Sequence, residues 1–83
     1  MTTKVLFFGR LAEALGKERI VALPAGGCTV GELKRLIGRG DPAAAEALGD
    51  GSILAAVDQA IVADDTHVPA GSEIAFLSPL SGG

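Results

Sequence analysis

The sequence predicts a single α+β domain in which one main helix packs on a mixed sheet of about five strands. Its 83 residues support one modest hydrophobic core, since a chain of this length hides only about 60% of its unfolded surface. Short β-branched and aromatic runs, typical of strands, alternate with stretches whose apolar residues recur at helical spacing. Glycine and proline mark the boundaries between them.

The N-terminal part predicts a strand, a short helix and a second strand. Residues 4–8 (KVLFF) are a compact apolar run typical of a buried strand. Residues 9–16 (GRLAEALG) end at a glycine and predict a short helix. Its apolar side chains recur at helical spacing: Leu11, Ala14 and Leu15. Residues 18–23 (ERIVAL) follow as the second strand. The connection is longer than a tight hairpin turn, but an antiparallel pairing of the two strands is still open.

The middle of the chain predicts the main helix and a second short one. Thr29 and Glu32 have the spacing of a capping box, in which each side chain accepts a hydrogen bond from the other residue's backbone N–H. Behind this start the apolar residues form one stripe: Val30, Leu33, Leu36 and Ile37. Asp41 and Pro42 then predict a second N-cap with proline at the first helical position.

The C-terminal part returns to strands. Residues 53–57 and 60–62 flank a turn at Asp58 and Gln59, and residues 73–77 (EIAFL) form the last strand. The resulting order of strand, short helix, strand, helix, short helix and three strands is that of a β-grasp domain. We expect residues 1–78 to form this domain and residues 79–83 to form an extended, flexible tail that ends in Gly-Gly.

Composition excludes several function classes. The formal net charge is −3, and the chain has no Trp or Tyr, so it offers neither a basic stripe nor a stacking platform for nucleic acid. No apolar run approaches the roughly 20 residues of a membrane span, and residues 1–10 lack the features of a signal peptide. We therefore expect a soluble, cytoplasmic protein that binds neither nucleic acid nor a membrane.

Two chemically versatile side chains receive no functional role. His67 is the only imidazole and is predicted to lie on the surface in a turn, without neighbours at a spacing suited to zinc or a catalytic triad. Cys28, the single cysteine, rules out an internal disulfide and a cysteine-based metal site, and is predicted to be a half-buried thiol. No metal site is expected, and a stand-alone enzyme is the least favoured class because no acid/base or nucleophile constellation is present.

The final residues, SPLSGG, carry the strongest functional signal. Ser78 and Pro79 break the last strand, so residues 80–83 can leave the body extended, over on the order of 15 Å. Gly82 and Gly83 have no side chain to obstruct a narrow channel. The Gly83 carboxylate is ionised and a poor electrophile, so chemistry there requires activation, for which an acyl-adenylate would serve. The alternative is a frayed and inert terminus.

The first strand also predicts an interaction surface. Val5 and Phe7 alternate with Leu6 and Phe8, so one pair faces the helix and the other lies on the open face of the sheet. An unpaired apolar patch on that face would indicate a partner. We assign three side chains to it: Phe8, Ile61 and Leu77.

Four segments together resemble the small subunit of molybdopterin synthase, a family of ubiquitin-like sulfur carriers with the β-grasp fold. They are KVLFFGRLAEALG at the start, TVGEL in the main helix, ILAAVDQ in the hairpin and PAGSEIAFLSPLSGG at the end, and the resemblance spans essentially the whole chain. The sequence departs from the family at two positions. Asp58 stands where the family often has Asn, and Ser78 stands where it often has Pro.

The resemblance implies a reaction cycle at the C-terminus. An ATP-using, ubiquitin-activating-like adenylyltransferase adenylates Gly83, a sulfur donor converts the adenylate into a thiocarboxylate, and the tail enters the large subunit of the synthase. There the sulfur is transferred to cyclic pyranopterin monophosphate to build the dithiolene of molybdopterin. The carrier itself binds no cofactor stably, since ATP is consumed by the activating partner.

The resemblance also implies which residues contact the large subunit, in an assembly expected to be a heterotetramer. These are Phe8, Ile61 and Leu77 on the sheet, and Pro79, Leu80 and Ser81 in the tail, with Gly82 next to the reacting Gly83. A thiamine-pathway sulfur carrier or a ubiquitin-like protein modifier would use the same adenylation, and an interaction module would have an inert tail. These three remain alternatives.

Overall fold

The structure, a computed structural model, describes residues 2–78. In chain order its elements are β1 (Thr2–Phe8), α1 (Arg10–Leu15), β2 (Glu18–Ala22), β3 (Cys28–Thr29), α2 (Val30–Gly38), α3 (Pro42–Leu48), β4 (Leu54–Val57), β5 (Ala60–Val62), β6 (His67–Val68) and β7 (Ile74–Leu77). None of the helices in this part of the chain is long and apolar enough to cross a membrane.

Five strands form one mixed sheet in the order β2-β1-β7-β4-β5. At its centre β1 and β7 run parallel, with Val5 opposite Ile74 and Phe8 opposite Leu77. The other neighbouring strands in this sheet are antiparallel. The ends of β1 and β7 therefore lie side by side. The predicted α+β class, the five-stranded mixed sheet and the β-grasp arrangement are confirmed.

One face of the sheet is covered by the helices and holds the core. Val5, Phe7, Ile74 and Phe76 point towards the helices, and each is no more than 1% exposed. Phe7 and Phe76 lie opposite each other on β1 and β7, and their ring centroids are 6.2 Å apart. The buried side chains that the helices pack against them are Leu11, Leu15, Val30, Leu33, Ile37, Ala44 and Leu48.

The helix starts are capped as the sequence predicts. The Thr29 hydroxyl accepts a hydrogen bond from the Glu32 N–H at 3.1 Å, and Glu32 Oε1 accepts one from the Thr29 N–H at 2.8 Å, which completes the capping box. Because the bond to the Thr29 backbone favours the ionised carboxylate, it lowers the pKa of Glu32. Asp41 caps α3 by accepting from the Ala44 N–H at 3.2 Å, and Pro42 occupies the first turn.

The helix predicted from residues 9–16 is present as α1, with Leu11 and Leu15 buried, Ala12 packed against the core and Ala14 exposed. Two local predictions were wrong. His67 is exposed as expected but lies in strand β6, which pairs with β3, rather than in a turn. Cys28 is buried, at 6% exposure, rather than half-buried. This burial raises the pKa of its thiol.

The β4–β5 hairpin has a two-residue turn that contains no glycine. Asp58 and Gln59 both have positive φ angles, 48° and 72°, in the left-handed region that favours glycine. Asp58 is also tied to the start of β7, since its Oδ1 accepts from the Glu73 N–H at 2.9 Å and its own N–H donates to the Glu73 carbonyl at 2.8 Å. An Asn side-chain oxygen would accept the same bond, so Asp and Asn are equivalent for this contact.

Replacing Gln59 with glycine should stabilise the fold. The left-handed conformation costs a non-glycine residue about 1–2 kcal/mol in the folded state, and glycine removes this cost. Glycine also gives the unfolded chain more conformational freedom, which lowers the stability of the fold by about 0.4–1 kcal/mol. We therefore expect Gln59→Gly to raise the free energy of unfolding in urea by about 0.5–1 kcal/mol. The control is Ala60→Gly at the adjacent strand position, which should lower it. A Gln59→Gly chain no more stable than the parent would contradict this account of the turn.

Stability should depend on pH through Asp41. The pKa of Asp41 lies below its ordinary value, mainly because its carboxylate accepts a hydrogen bond from the Ala44 backbone. The contact with the Arg19 side chain at 2.9 Å is the second cause. The folded chain therefore binds this proton more weakly than the unfolded chain. The resulting stabilisation is fully present above the ordinary aspartate pKa of about 4 and is lost as the pH falls through the lower folded-state pKa.

The test is urea unfolding of the parent and Asp41→Asn, a change that keeps a good N-cap but removes the charge. The parent should be the more stable at neutral pH, and its advantage should shrink as the pH falls below about 5 and through the folded-state pKa of Asp41. Glu46→Gln, which removes an exposed carboxylate from the same helix, serves as the control. An advantage that stays constant with pH would show that the Asp41 charge contributes nothing.

Candidate partner-binding face and the exit of the C-terminal segment

The face of the sheet opposite the helices carries exposed apolar side chains. On β1, Leu6 and Phe8 point away from the helices because they alternate with the buried Val5 and Phe7. Within residues 2–78, the large hydrophobic side chains with the greatest exposure all lie on this open face: Phe8 at 49%, Ile20 at 63%, Leu54 at 43% and Ile61 at 59%.

Strand register joins most of these side chains into one surface. Leu54, Leu77 and Phe8 form a row across β4, β7 and β1, each directly opposite the next, and opposite residues on adjacent strands share a face. The neighbouring row on the same face, in the strand order β5, β4, β7 and β1, consists of Ile61, Ala56, Ala75 and Leu6. We call these two rows the open-face patch.

A polar rim borders the open-face patch on the β2 side. Lys4 and Glu18 form an ion pair at 3.5 Å, with side chains that are 58% and 52% exposed. Such an exposed pair contributes little to stability. Ile20 lies opposite Lys4, beyond this rim and away from the two rows. An apolar centre with a charged border is the usual anatomy of a protein-binding surface.

The sequence located this surface only in part. The structure places Phe8, Ile61 and Leu77 on the open face, with Leu77 half-buried between its neighbours; their contact with a partner stays a prediction. Sequence reasoning missed Leu54 and Ile20. Leu54 had no sequence signal, because all residues of the predicted strand 53–57 are apolar and only its register with Leu77 places it on the open face.

The chain leaves the sheet at the border of the open-face patch. Leu77 ends β7 beside Phe8, the last residue of β1. The next residue, Ser78, is fixed by its hydroxyl oxygen, which accepts from the Arg10 N–H at 2.7 Å and lies 3.4 Å from the Phe8 carbonyl, to which it donates. The remaining predicted site residues lie outside the described part of the chain: Pro79, Leu80, Ser81, Gly82 and Gly83.

The other chemically notable features lie elsewhere. An open groove of about 710 Å³ runs between α2 and α3 and is not lined by the residues at the exit of the chain. Its Lys34 forms an ion pair with Asp64 at 3.0 Å. Cys28 is buried opposite Val68 on β6. In the described residues no three His, Cys, Asp or Glu side chains are grouped so as to hold a metal ion. The open-face patch and the adjacent Ser78, where the chain leaves the sheet, are therefore the features that one partner could contact at the same time.

Comparison with known proteins identifies the family. The chain matches the ThiS family over residues 5–83. It belongs to the ThiS family. Nearly the whole chain is covered by this match, including the open-face patch and the residues after Ser78.

The relatives of this ThiS-family chain include proteins named for molybdopterin synthesis and an archaeal protein named SAMP1. It is 38% identical over 80 residues to the molybdopterin synthase sulfur carrier subunit of Escherichia coli (strain K12), a match that covers 96% of this chain and 98% of that protein. The crystal structure of SAMP1 from Haloferax volcanii has a TM-score of 0.83 at 27% identity and covers both chains completely.

A third relative is a chain in the solved structure of a complex. A chain in the complex of subunits 1 and 2 of the molybdopterin-converting factor from Helicobacter pylori 26695 has a TM-score of 0.65 at 24% identity, with complete coverage of both chains. At this identity the likeness establishes the shared fold.

Proposed function

We propose that this chain is the sulfur-carrier subunit of a molybdopterin synthase and that the carboxyl group of Gly83 carries the sulfur. The observation that carries the proposal is the exit of the chain beside the open-face patch. A partner that covers Phe8, Leu54 and Leu77 would also receive the segment that follows Ser78. The close relationship to the sulfur carrier of Escherichia coli supports the same role.

The chemistry at Gly83 requires activation. A carboxylate is a poor electrophile at neutral pH because it is ionised. In the proposed cycle, an adenylyltransferase joins the Gly83 carboxylate to the α-phosphate of ATP and releases pyrophosphate. A donor at the oxidation level of sulfide then attacks the acyl carbon, AMP leaves, and a thiocarboxylate remains. The chain itself would bind no cofactor stably, because the adenylyltransferase consumes the ATP and only the AMP moiety is joined to Gly83 for a time. We propose that the cycle takes place in the cytoplasm.

The large subunit is the proposed partner of the open-face patch. In the related complex from Helicobacter pylori, a chain of the same fold is assembled with subunit 2. Apolar residues that face outwards are what a partner surface needs for its central contacts. We propose that Phe8, Ile61 and Leu77 provide these contacts, that residues 79–81 continue them, and that the sulfur on Gly83 then reaches cyclic pyranopterin monophosphate. The expected assembly is a heterotetramer.

A protein modifier is the second candidate function. The likeness to SAMP1, described as a small archaeal modifier protein, favours it specifically. A modifier would use the same adenylate but transfer the Gly83 acyl group to an amine of a target protein, which would leave a covalent conjugate. A thiamine-pathway carrier would make the same thiocarboxylate but would not support molybdopterin formation with the large subunit. Product analysis therefore separates all three functions.

Replacing Phe8 should weaken binding to the large subunit. As an exposed aromatic anchor, Phe8 is expected to contribute about 1–3 kcal/mol of affinity, so Phe8→Ala should raise the Kd measured by titration calorimetry. The neighbouring Phe7→Ala should instead cost about 3–5 kcal/mol of stability, because Phe7 is only 1% exposed.

A second control tests whether exposure alone explains the effect. Ile20 is more exposed than Phe8 but lies beyond the Lys4–Glu18 rim, so Ile20→Ala should leave the Kd nearly unchanged. A folded Phe8→Ala chain that binds with the parent affinity would remove the open-face patch from the proposed interface.

Changing the position of the Gly83 carboxyl group should abolish activity. Deleting Gly83, or adding one residue after it, moves the reacting carbon by about 3.3 Å, and a misplacement of only 1 Å can cost about a hundredfold in rate. Gly82→Ala is a milder change that adds one methyl group, and we expect it to slow adenylation or transfer without lowering the melting temperature.

The measurement is intact mass after incubation with ATP, the adenylyltransferase and a sulfur donor. The parent should gain the mass difference of one oxygen-to-sulfur exchange, located at Gly83 by fragmentation. An unchanged mass, or molybdopterin formation by the chain that lacks Gly83, would refute the sulfur-carrier assignment. Covalent conjugates to other proteins in place of the sulfur exchange would support the modifier.

A further inference from the structure

Ser78, the last described residue, connects three parts of the fold at the exit of the chain. It follows β7, its hydroxyl oxygen accepts from the first N–H of α1, and its O–H group donates to the last carbonyl of β1. We infer that Ser78 and Gly9 form a latch that fixes the direction in which the residues after Ser78 leave the domain. This makes Ser78 a positioning residue for the chemistry at Gly83, and the inference rests on the proposed function.

The first support for the latch is an unusual helix cap. The opening N–H groups of a helix have no partner within the helix, and the residue before it normally caps them with its side chain. Before α1 that residue is Gly9, which makes no side-chain cap. Ser78 supplies the missing acceptor for the Arg10 N–H at 2.7 Å, from 68 positions further along the chain. The start of α1 and the exit of the C-terminal segment are thereby held together.

The second support is the close approach of Gly9 to Ser78. A Cβ atom built at Gly9 would lie 2.6 Å from Ser78 Oγ and 2.8 Å from the Ser78 carbonyl oxygen, closer than real Cβ atoms come to other atoms. Gly9 also has a φ of 66°, which disfavours other residues. Glycine at position 9 therefore lets Ser78 sit against the junction of β1 and α1, so both sides of the latch are adapted to the contact.

Because of its location, the latch can affect the position of the Gly83 carboxyl group. The register of β1 with β7 ends at Phe8 and Leu77, so Ser78 is the first residue beyond this pairing. Gly83 lies five residues further on, up to about 16 Å away if the segment is extended. A change of about 20° in direction at Ser78 would then move the Gly83 carboxyl carbon by on the order of 5 Å. Group transfer is sensitive to much smaller displacements.

The experiment compares Ser78→Ala with a conservative variant and a matched control. Ser78→Ala removes the hydroxyl group and with it the latch, whereas Ser78→Thr keeps the hydroxyl group. Ser72→Ala makes the same chemical change elsewhere, because the Ser72 hydroxyl donates only to the Pro69 carbonyl of its own turn, at 2.8 Å. All are prepared as full-length chains, converted to the thiocarboxylate with the adenylyltransferase, and mixed with the large subunit and cyclic pyranopterin monophosphate.

Three measurements separate positioning from binding and stability. At saturating large subunit, the single-turnover rate of sulfur transfer should fall about tenfold or more for Ser78→Ala, while the Kd for the large subunit stays within about twofold of the parent, because the open-face patch is intact. Ser78→Thr should restore the rate, and Ser72→Ala should change neither quantity. Hydrogen exchange of the Arg10 amide, which reports the latch directly, should accelerate in Ser78→Ala alone.

Other results would overturn the inference. A Ser78→Ala chain that transfers sulfur at the parent rate shows that the latch does not position Gly83. A Ser78→Ala chain whose transfer rate falls only in proportion to the fraction unfolded shows that the hydroxyl group acts on stability alone. A parent chain that acquires no sulfur refutes the proposed function, and the positioning role with it. If the parent chain transfers sulfur and Ser78→Ala transfers it at the same rate, only the positioning role is refuted.

Discussion

The parallel pairing of β1 with β7 at the centre of the sheet is the contact on which the rest of the molecule depends. Its register sets Phe7 opposite Phe76 on the face covered by the helices, and Phe8 opposite Leu77 on the open face. Because side chains alternate along a strand, a slip of one residue would exchange the two faces. The core and the open-face patch are therefore two consequences of the same hydrogen-bonded ladder, and neither can change register alone.

This pairing also joins the beginning of the described chain to its end. β7 delivers Ser78 to the place where β1 ends and α1 begins, so a residue from one end of the sequence completes the cap of a helix near the other. Contacts between such distant residues form only after the intervening chain has closed. The direction in which the chain leaves the sheet at Ser78 is thus a property of the complete fold. The position of this exit relative to the open-face patch is therefore fixed.

Features with local signals could be predicted from the sequence, and features made by distant residues could not. The capping box of Thr29 and Glu32 and the alternation in residues 4–8 depend on near neighbours, and both predictions are confirmed. Strands β3 and β6 have two residues each, too few to show a period. The row that joins Leu54 to Phe8 requires knowledge of which strands are adjacent, and the cap from Ser78 to Arg10 spans 68 positions.

The open face breaks a general pattern of sheets, and this break carries the functional information. A sheet with helices on one face usually has polar side chains on the other, where it meets water. Here Phe8, Leu54 and Ile61 are between 43% and 59% exposed, although each could be polar without disturbing the core, since register points them away from it. Their apolar character does not serve the fold of the isolated domain, and violations of this kind are expected at functional surfaces. A partner that supplied the missing layer would account for these side chains, and it would lie beside Ser78, where the chain leaves the sheet.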